Sequence, residues 1–258
     1  MKVVILAGGL GTRLAEETDV RPKPMVEIGG RPILWHIMNT YAAYGYKNFV
    51  IALGYKGEVI KRYMSEYLAL SGNVTVNFKT GQVSHDGDVD LDWQIEMIET
   101  GLETQTGGRL KKIIESGRIT DTFMMTYGDG VSDVNIEHLV AFHKSHGKKA
   151  TMTAVRPPAR YGHLLFDGNR ITRFAEKAQM DEGWINGGYF VLDPSVVEYV
   201  DDYSMPWERK PLERLANEDQ LMAYFHESFW QSMDTLRDKM LLQEMWDKGN
   251  RPWVIKEK

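Results

Sequence analysis

The start of the chain constrains the fold more than any other segment. Val3-Val4-Ile5-Leu6-Ala7 is a short, uninterrupted apolar run, and it stops at Gly8-Gly9-Leu10-Gly11-Thr12-Arg13-Leu14. A strand that is apolar at every residue has no solvent face. It therefore predicts a strand covered on both sides, as in the parallel sheet of an α/β fold. The glycines end that strand in a turn at its C-terminal edge, where open α/β sheets bind ligands. Glycine lets backbone N–H groups converge on phosphate oxygens with no Cβ in the way. The same pattern also makes a plain structural turn, and three glycines alone do not choose between the two.

The flanking residues narrow the choice. No Lys-Ser or Lys-Thr follows the glycines, so this is not a Walker loop. Gly9-Leu10-Gly11 would need a glycine or alanine at residue 14 to be a dinucleotide fingerprint, and Leu14 stands there. Arg13 lies two residues past the last glycine, and Lys23 sits in Arg21-Pro22-Lys23-Pro24, where the prolines restrict the backbone. Two positioned cations beside a glycine turn suit a polyphosphate. The chain as a whole is acidic: 31 Lys+Arg against 36 Asp+Glu leave a net charge of −5. That argues against a protein held by nucleic acid or by an anionic membrane surface, and makes any cationic site a local exception. The absence of cysteine excludes disulfides, thiolate catalysis and Cys-ligated metals. Apolar runs stop at about five residues, far below the roughly 20 of a membrane span, and the first residues are too short for a signal peptide. A cytoplasmic protein is expected.

Hydrophobic periodicity predicts a helix over 32–44, a buried strand over 49–53, a helix over 58–70 and a strand over 74–78. That is a β-α-β-α-β start with right-handed crossovers. Residues 79–92 read as a polar, acidic loop or insert. Further strands are expected at 94–99, 123–127 and 150–155, with helices from about 107 and over 136–146. Beyond residue 156 the pattern becomes less regular, with short strands at 164–166, 171–174 and 189–192. Helical pieces follow at 195–200, 207–215 and 234–246. Asp129 falls between two glycines after the 123–127 strand, over the ligand edge of the sheet, although an ordinary turn aspartate would look the same. Asp234 opens the last helix, where a plain cap or first-turn acid is the default.

The segment Leu-Ala-Gly-Gly-x-Gly-Thr-Arg-Leu with its downstream Pro-Lys-Pro resembles the signature of sugar-1-phosphate nucleotidylyltransferases. The resemblance extends along essentially the whole chain through Tyr127-Gly128-Asp129-Gly130, Glu176-Lys177, Asn186-Gly187-Gly188 and Met233-Asp234-Thr235. It implies an α/β fold: one Rossmann-like nucleotidyltransferase domain over 1–258 with a mixed, mainly parallel central sheet. A nucleotide-binding half would span 1–156 and a less regular sugar-binding half 157–258. Trp35-His36-Ile37-Met38, Thr106-Gly107-Gly108-Arg109-Leu110 and Phe229-Trp230-Gln231 are most similar to members that use CTP and glucose 1-phosphate. UTP or dTTP, another sugar phosphate, and a non-catalytic nucleotide sensor are the alternatives.

The resemblance also implies roles. Arg13, with Gly11 and Thr12, would hold the leaving phosphates, and Lys23 the α-phosphate. Asp129 and Asp234 would hold Mg²⁺. Leu6, Ala7, Gly8, Gly9, Thr104 and Arg109 would read the base, with Leu10 and Gly128 completing the nucleotide site. Lys177 would meet the sugar phosphate, and Glu176, Asn186 and Gly187 the sugar hydroxyls. A homo-oligomer, trimer or hexamer, is implied, with 79–92 available to touch a neighbour. Two departures stand out: Ala178 and Ser232 occupy positions where the family usually has proline.

Other signals are discounted. Asp86-x-Asp88-x-Asp90 begins like a calcium loop, but Leu91 replaces the required glycine and Met97 the terminal glutamate. His138, His143 and His146 read as surface histidines. The tryptophans default to core packing.

Overall fold

The computed structural model describes residues 1–67, 69–86, 91–157, 163–167, 169–175 and 183–255. Its centre is a seven-stranded sheet of Val3–Leu6 (β1), Asn48–Leu53 (β2), Gln94–Glu99 (β3), Phe123–Tyr127 (β4), Ala150–Val155 (β5), Ile185–Leu192 (β6) and Leu221–His226 (β7). The spatial order is β7-β5-β6-β4-β1-β2-β3. β1 pairs in parallel with both β2 and β4, β2 with β3, and β5 with β7. Only β6 runs antiparallel, to β4 and to β5. The sheet is thus mixed and mainly parallel, as expected, and takes strands from both sides of residue 156.

The helices of eight or more residues are Ile33–Ala42 (α1), Gly57–Glu66 (α2), Thr106–Glu115 (α3), Ile136–His146 (α4), Lys210–Asn217 (α5) and Leu236–Asp247 (α6). The apolar run of β1 is divided between two cores. Val3 and Ile5 pack with residues of α1 and α4; Val4 and Leu6 pack with residues of α3 and α5. All four are buried, each contributing about 1.5–3 kcal/mol by transfer. Burial on both faces is why this strand could be read directly from composition.

Several elements differ from the expectation. Asn73–Asn77 is a strand, but it does not join the sheet. It pairs antiparallel with Gln82–Asp86, so the segment expected to be a loop is half of a hairpin. Every residue of Asn73–Asn77 is exposed, and Val74 and Val76 never find a core. The third sheet strand of the first half is instead β3. β7 was not anticipated: its burial is mostly partial, which weakens the apolar signal. The expected helix over 195–200 is a 3₁₀ segment, Pro194–Tyr199, and the one expected from 207 begins at Lys210.

The last helix carries a useful correction. Its N-cap is Thr235, which forms a capping box with Asp238. Asp234 lies just outside, so its carboxylate is not used as the cap. Asp238 Oδ2 accepts from the Asp234 and Thr235 amides at 3.1 and 2.9 Å, which fixes the backbone that carries Asp234.

His143 also departs from the surface reading. It is buried, and its Nδ1 lies 2.9 Å from Thr151 Oγ1; His146 Nε2 reaches the same hydroxyl at 2.7 Å. Burial, reinforced by His146 and opposed by Asp193, lowers the His143 pKa to about 4. A neutral imidazole is therefore favoured by folding. The stability it contributes is complete above pH 6.5 and is lost as pH falls toward 4, by about 3 kcal/mol. The melting temperature should fall across that window, and His143→Gln should make the fall shallower. An unchanged profile would remove the assignment.

Candidate active site

The site forms where the glycine turn after β1 meets the C-terminal end of β4. Gly11 adopts a left-handed φ of +66°, a conformation that suits glycine. Gly8 is required for a different reason. A Cβ there would lie 2.3 Å from Arg109 Nη1, so the guanidinium can approach the backbone only if residue 8 has no side chain. The turn is held from behind as well. Thr18 Oγ1 donates to the Gly11 and Leu14 carbonyls at 3.2 and 3.0 Å, and the Tyr55 amide donates to Gly8 O at 3.2 Å.

Lys23 leads a short 3₁₀ turn, Lys23–Met25, whose cap is Pro22. Its side chain is only 10% exposed, and Nζ donates to Asp129 Oδ2 at 2.6 Å and to Asp234 Oδ1 at 2.7 Å. Arg13 Nη2 lies 3.0 Å from the same Asp234 oxygen, from a largely exposed side chain. A two-stranded ladder brings the carboxylates together: Gly130–Ser132 pairs antiparallel with Trp230–Ser232, and the Met233 amide donates to Asp129 O at 2.8 Å. Burial opposes the charge on Lys23, but the two aspartates outweigh it and raise its pKa. Burial likewise opposes ionisation of Asp234, but Lys23, Arg13 and Ser232 lower its pKa. Ser232 contributes through its hydroxyl, which donates to Asp234 Oδ2 at 3.1 Å; a proline could not do so. Lys23 and Asp234 therefore each hold the other's charge in place.

Two adjoining cavities meet here. The first, of about 440 Å³, is walled by Leu6 to Gly9, Gly11 to Arg13, Lys23 and Asp129, with Thr106, Tyr127 and Glu208 opposite. The second, of about 260 Å³, is lined by Asn186, Gly187, Tyr189, Trp230, Ser232 and Asp234. Arg13, Tyr127 and Asp129 belong to both. Tyr127 is the partition. Its hydroxyl accepts from Asn186 Nδ2 at 3.1 Å, and burial together with the nearby Glu208 raises its pKa well above the usual phenol value, so it stays neutral.

Most of the expected site residues therefore converge. Among the described residues, the first cavity's wall does not include Leu10, Thr104 or Arg109. Leu10 is exposed. Thr104 is buried, donating to Thr100 O at 2.6 Å. Arg109 was expected to read the base. It is buried, and its donors are engaged by Leu53 O, Gly101 O and Thr100 Oγ1 through Nη1 and by Gly8 O through Nη2, at 2.6–2.9 Å. Glu176, Lys177 and Ala178 lie outside the described residues. Thr106, Glu208 and Trp230 had not been assigned to the site. Thr106 and Trp230 stood within motifs already noted, but nothing local marks Glu208, since only the path of residues 203–208 over α3 brings it in.

The donor set can be tested for a divalent cation. One ammonium sits within hydrogen-bond distance of both carboxylates, so their oxygens converge on a point suited to a positive ion. Two carboxylates, with phosphate oxygens and water making up the rest, suit Mg²⁺. Among the described residues no group of three or more His, Cys, Asp or Glu forms a closed cage. The residues fit an ion that arrives with a phosphate ligand.

A glycine turn at a strand's end, a carboxylate pair with a buried lysine, and twin cavities thus meet over a mixed, mainly parallel α/β sheet. The chain belongs to the nucleotidyl transferase family, whose model matches residues 2–238. It is 50% identical over 254 residues to the glucose-1-phosphate cytidylyltransferase of Salmonella typhi, covering 98% of each chain. It is 40% identical to the probable glucose-1-phosphate cytidylyltransferase of Bacillus subtilis, over 99% of this chain and 100% of that one. In fold it is similar to HddC from Yersinia pseudotuberculosis, with a TM-score of 0.68 at 22% identity over 95% of this chain and 99% of the other.

Removing Lys23 leaves two partly buried carboxylates facing each other. Lys23→Ala should lower stability by about 2 kcal/mol, and added Mg²⁺ should raise the melting temperature of the variant more than that of the parent. Equal melting temperatures with no Mg²⁺ response would contradict this geometry. Asp238→Ala should cost about 1 kcal/mol in denaturant unfolding through loss of the capping box.

Proposed function

We propose that the chain transfers a cytidylyl group from CTP to α-D-glucose 1-phosphate, giving CDP-glucose and pyrophosphate. The observation that carries this reading is the junction of the two cavities at Arg13, Tyr127 and Asp129, beside Lys23 and Asp234. A nucleotide in the first cavity and a sugar phosphate in the second would meet there. Near-full-length identity to cytidylyltransferases supports the choice of substrates.

In this reading the sugar-phosphate oxygen is itself the nucleophile. It attacks the α-phosphorus in line, the bond to the β-phosphate oxygen breaks, and no side chain is modified. Catalysis then consists of alignment and charge stabilisation. The turn amides at Gly11 and Thr12, with Arg13, hold the leaving phosphates. Lys23 leaves the aspartates to neutralise the α-phosphate. Asp129 and Asp234 would hold Mg²⁺, which when bound supplies positive charge at the phosphate oxygens. The backbone rim of Leu6, Ala7, Gly8 and Gly9 reads the base, with Leu10 and Gly128 at its borders. Arg109 and Thr104 brace that rim from behind. Asn186 and Gly187, with Glu176 and Lys177, bind the sugar phosphate. On this reading the chain is a single domain over 1–258, with nucleotide and sugar halves divided near 156, and works in the cytoplasm as a homo-oligomer, a trimer or hexamer. Among the described residues no helix is long and apolar enough to cross a membrane.

The test is pyrophosphate release from CTP, UTP, dTTP, ATP and GTP with glucose 1-phosphate. CTP should dominate; no turnover with any pair would overturn the enzyme reading. Lys23→Ala and Asp129→Asn should each lower kcat by about 10²–10³-fold, as the loss of one preorganised charge contact does elsewhere. Near-normal kcat in both would remove these roles.

A further inference from the structure

We propose that Glu208 is a specificity residue for the nucleotide, its carboxylate accepting a hydrogen bond from a ribose hydroxyl. The inference rests on the first cavity being the nucleotide site.

Glu208 is the only described carboxylate in that cavity's wall apart from Asp129. It is held there by a strap over the start of α3. Gln105 N donates to Tyr203 O at 3.0 Å, and Gly108 N to Met205 O at 3.2 Å. A Cβ on Gly108 would lie 2.0 Å from Tyr203 O, so the close approach depends on glycine. Trp207, wholly buried, anchors the strap, and its amide donates to Thr106 Oγ1 at 2.9 Å. The same Thr106 hydroxyl donates to Glu208 Oε2 at 2.6 Å. The carboxylate is therefore aimed, although the residue itself is exposed.

Its chemistry is out of place for a phosphate pocket. Its neighbours on the cavity wall, Thr106 and Tyr127, are neutral hydroxyls, and among the described residues no lysine or arginine pairs with it. An ionised carboxylate accepts about four hydrogen bonds and donates none, so capacity remains after these two. It would repel a phosphate, and the part of the ligand it meets must offer a donor. On the proposed reading the turn at Gly8, braced by Arg109, takes the base, and the wall of Arg13, Tyr127 and Asp129 shared by the two cavities takes the phosphates. Glu208 touches the Tyr127 partition from within the first cavity. The donors that connect base to α-phosphate in a ribonucleotide are the 2′ and 3′ hydroxyls.

The experiment compares calorimetric binding of CTP, 2′-deoxy-CTP and 3′-deoxy-CTP by the parent, Glu208→Ala and Glu208→Gln, alongside KM for glucose 1-phosphate. The parent should bind CTP about tenfold or more tightly than at least one deoxy analogue, the scale of a lost bond to a charged acceptor. Glu208→Ala should reduce that ratio to about twofold by weakening CTP, and Glu208→Gln, whose amide oxygen still accepts, should retain part of it. Equal binding of all three by the parent, an unchanged ratio in Glu208→Ala, or an effect confined to KM for the sugar phosphate overturns the proposal while leaving the nucleotide site intact. No binding of CTP by the parent overturns both.

Discussion

Lys23 places a positive charge in a nearly closed position between carboxylates supplied by two distant parts of the chain. Burying that ammonium is costly unless it is paired, and Asp129 and Asp234 provide the pairing. Satisfying it requires that the end of β4, the proline-bounded turn and the start of α6 all arrive at one point. The ladder between Gly130–Ser132 and Trp230–Ser232 sets the spacing, and the Thr235–Asp238 capping box sets the angle. Ser232 adds a donor to the Asp234 carboxylate. The electrostatic centre and the packing of the C-terminal segment are therefore one constraint.

The acidic net charge acquires a local meaning from this centre. Arg13 and Lys23 are the cations at the junction, and both are already matched by Asp234. A polyanionic ligand would exchange carboxylate partners for phosphate partners, and a divalent ion would restore balance to the aspartates. Another cation expected at the site, Arg109, is engaged by the backbone: its guanidinium donates to three carbonyls, one of them Gly8 O in the glycine turn. Buried cations in this protein are thus matched in two ways, Lys23 by carboxylates and Arg109 by carbonyls and a hydroxyl.

Much of the sheet could be read from sequence because its strands are buried on both faces. The β1 and β2 runs are apolar at nearly every position, a signal independent of their partners. β7 escaped because only one of its residues is fully buried, and the hairpin strand Asn73–Asn77 was misplaced because alternation does not say which strand pairs with which. His143 escaped because histidine on a helix carries no sign of whether Thr151 will be opposite.

The sequence by itself determined the glycine turn, the proline-held lysine and the two aspartates, since a phosphate edge requires small residues without Cβ and positioned charges within short stretches. The tertiary structure alone decided that Asp234 stands free of its helix cap, that Arg109 faces carbonyls, and that Glu208 joins the wall of the first cavity. These depend on long-range pairing: the register of one short ladder and the passage of residues 203–208 over two glycines of α3. Local pattern encodes which groups are available, whereas their convergence is set by contacts between segments far apart in the chain.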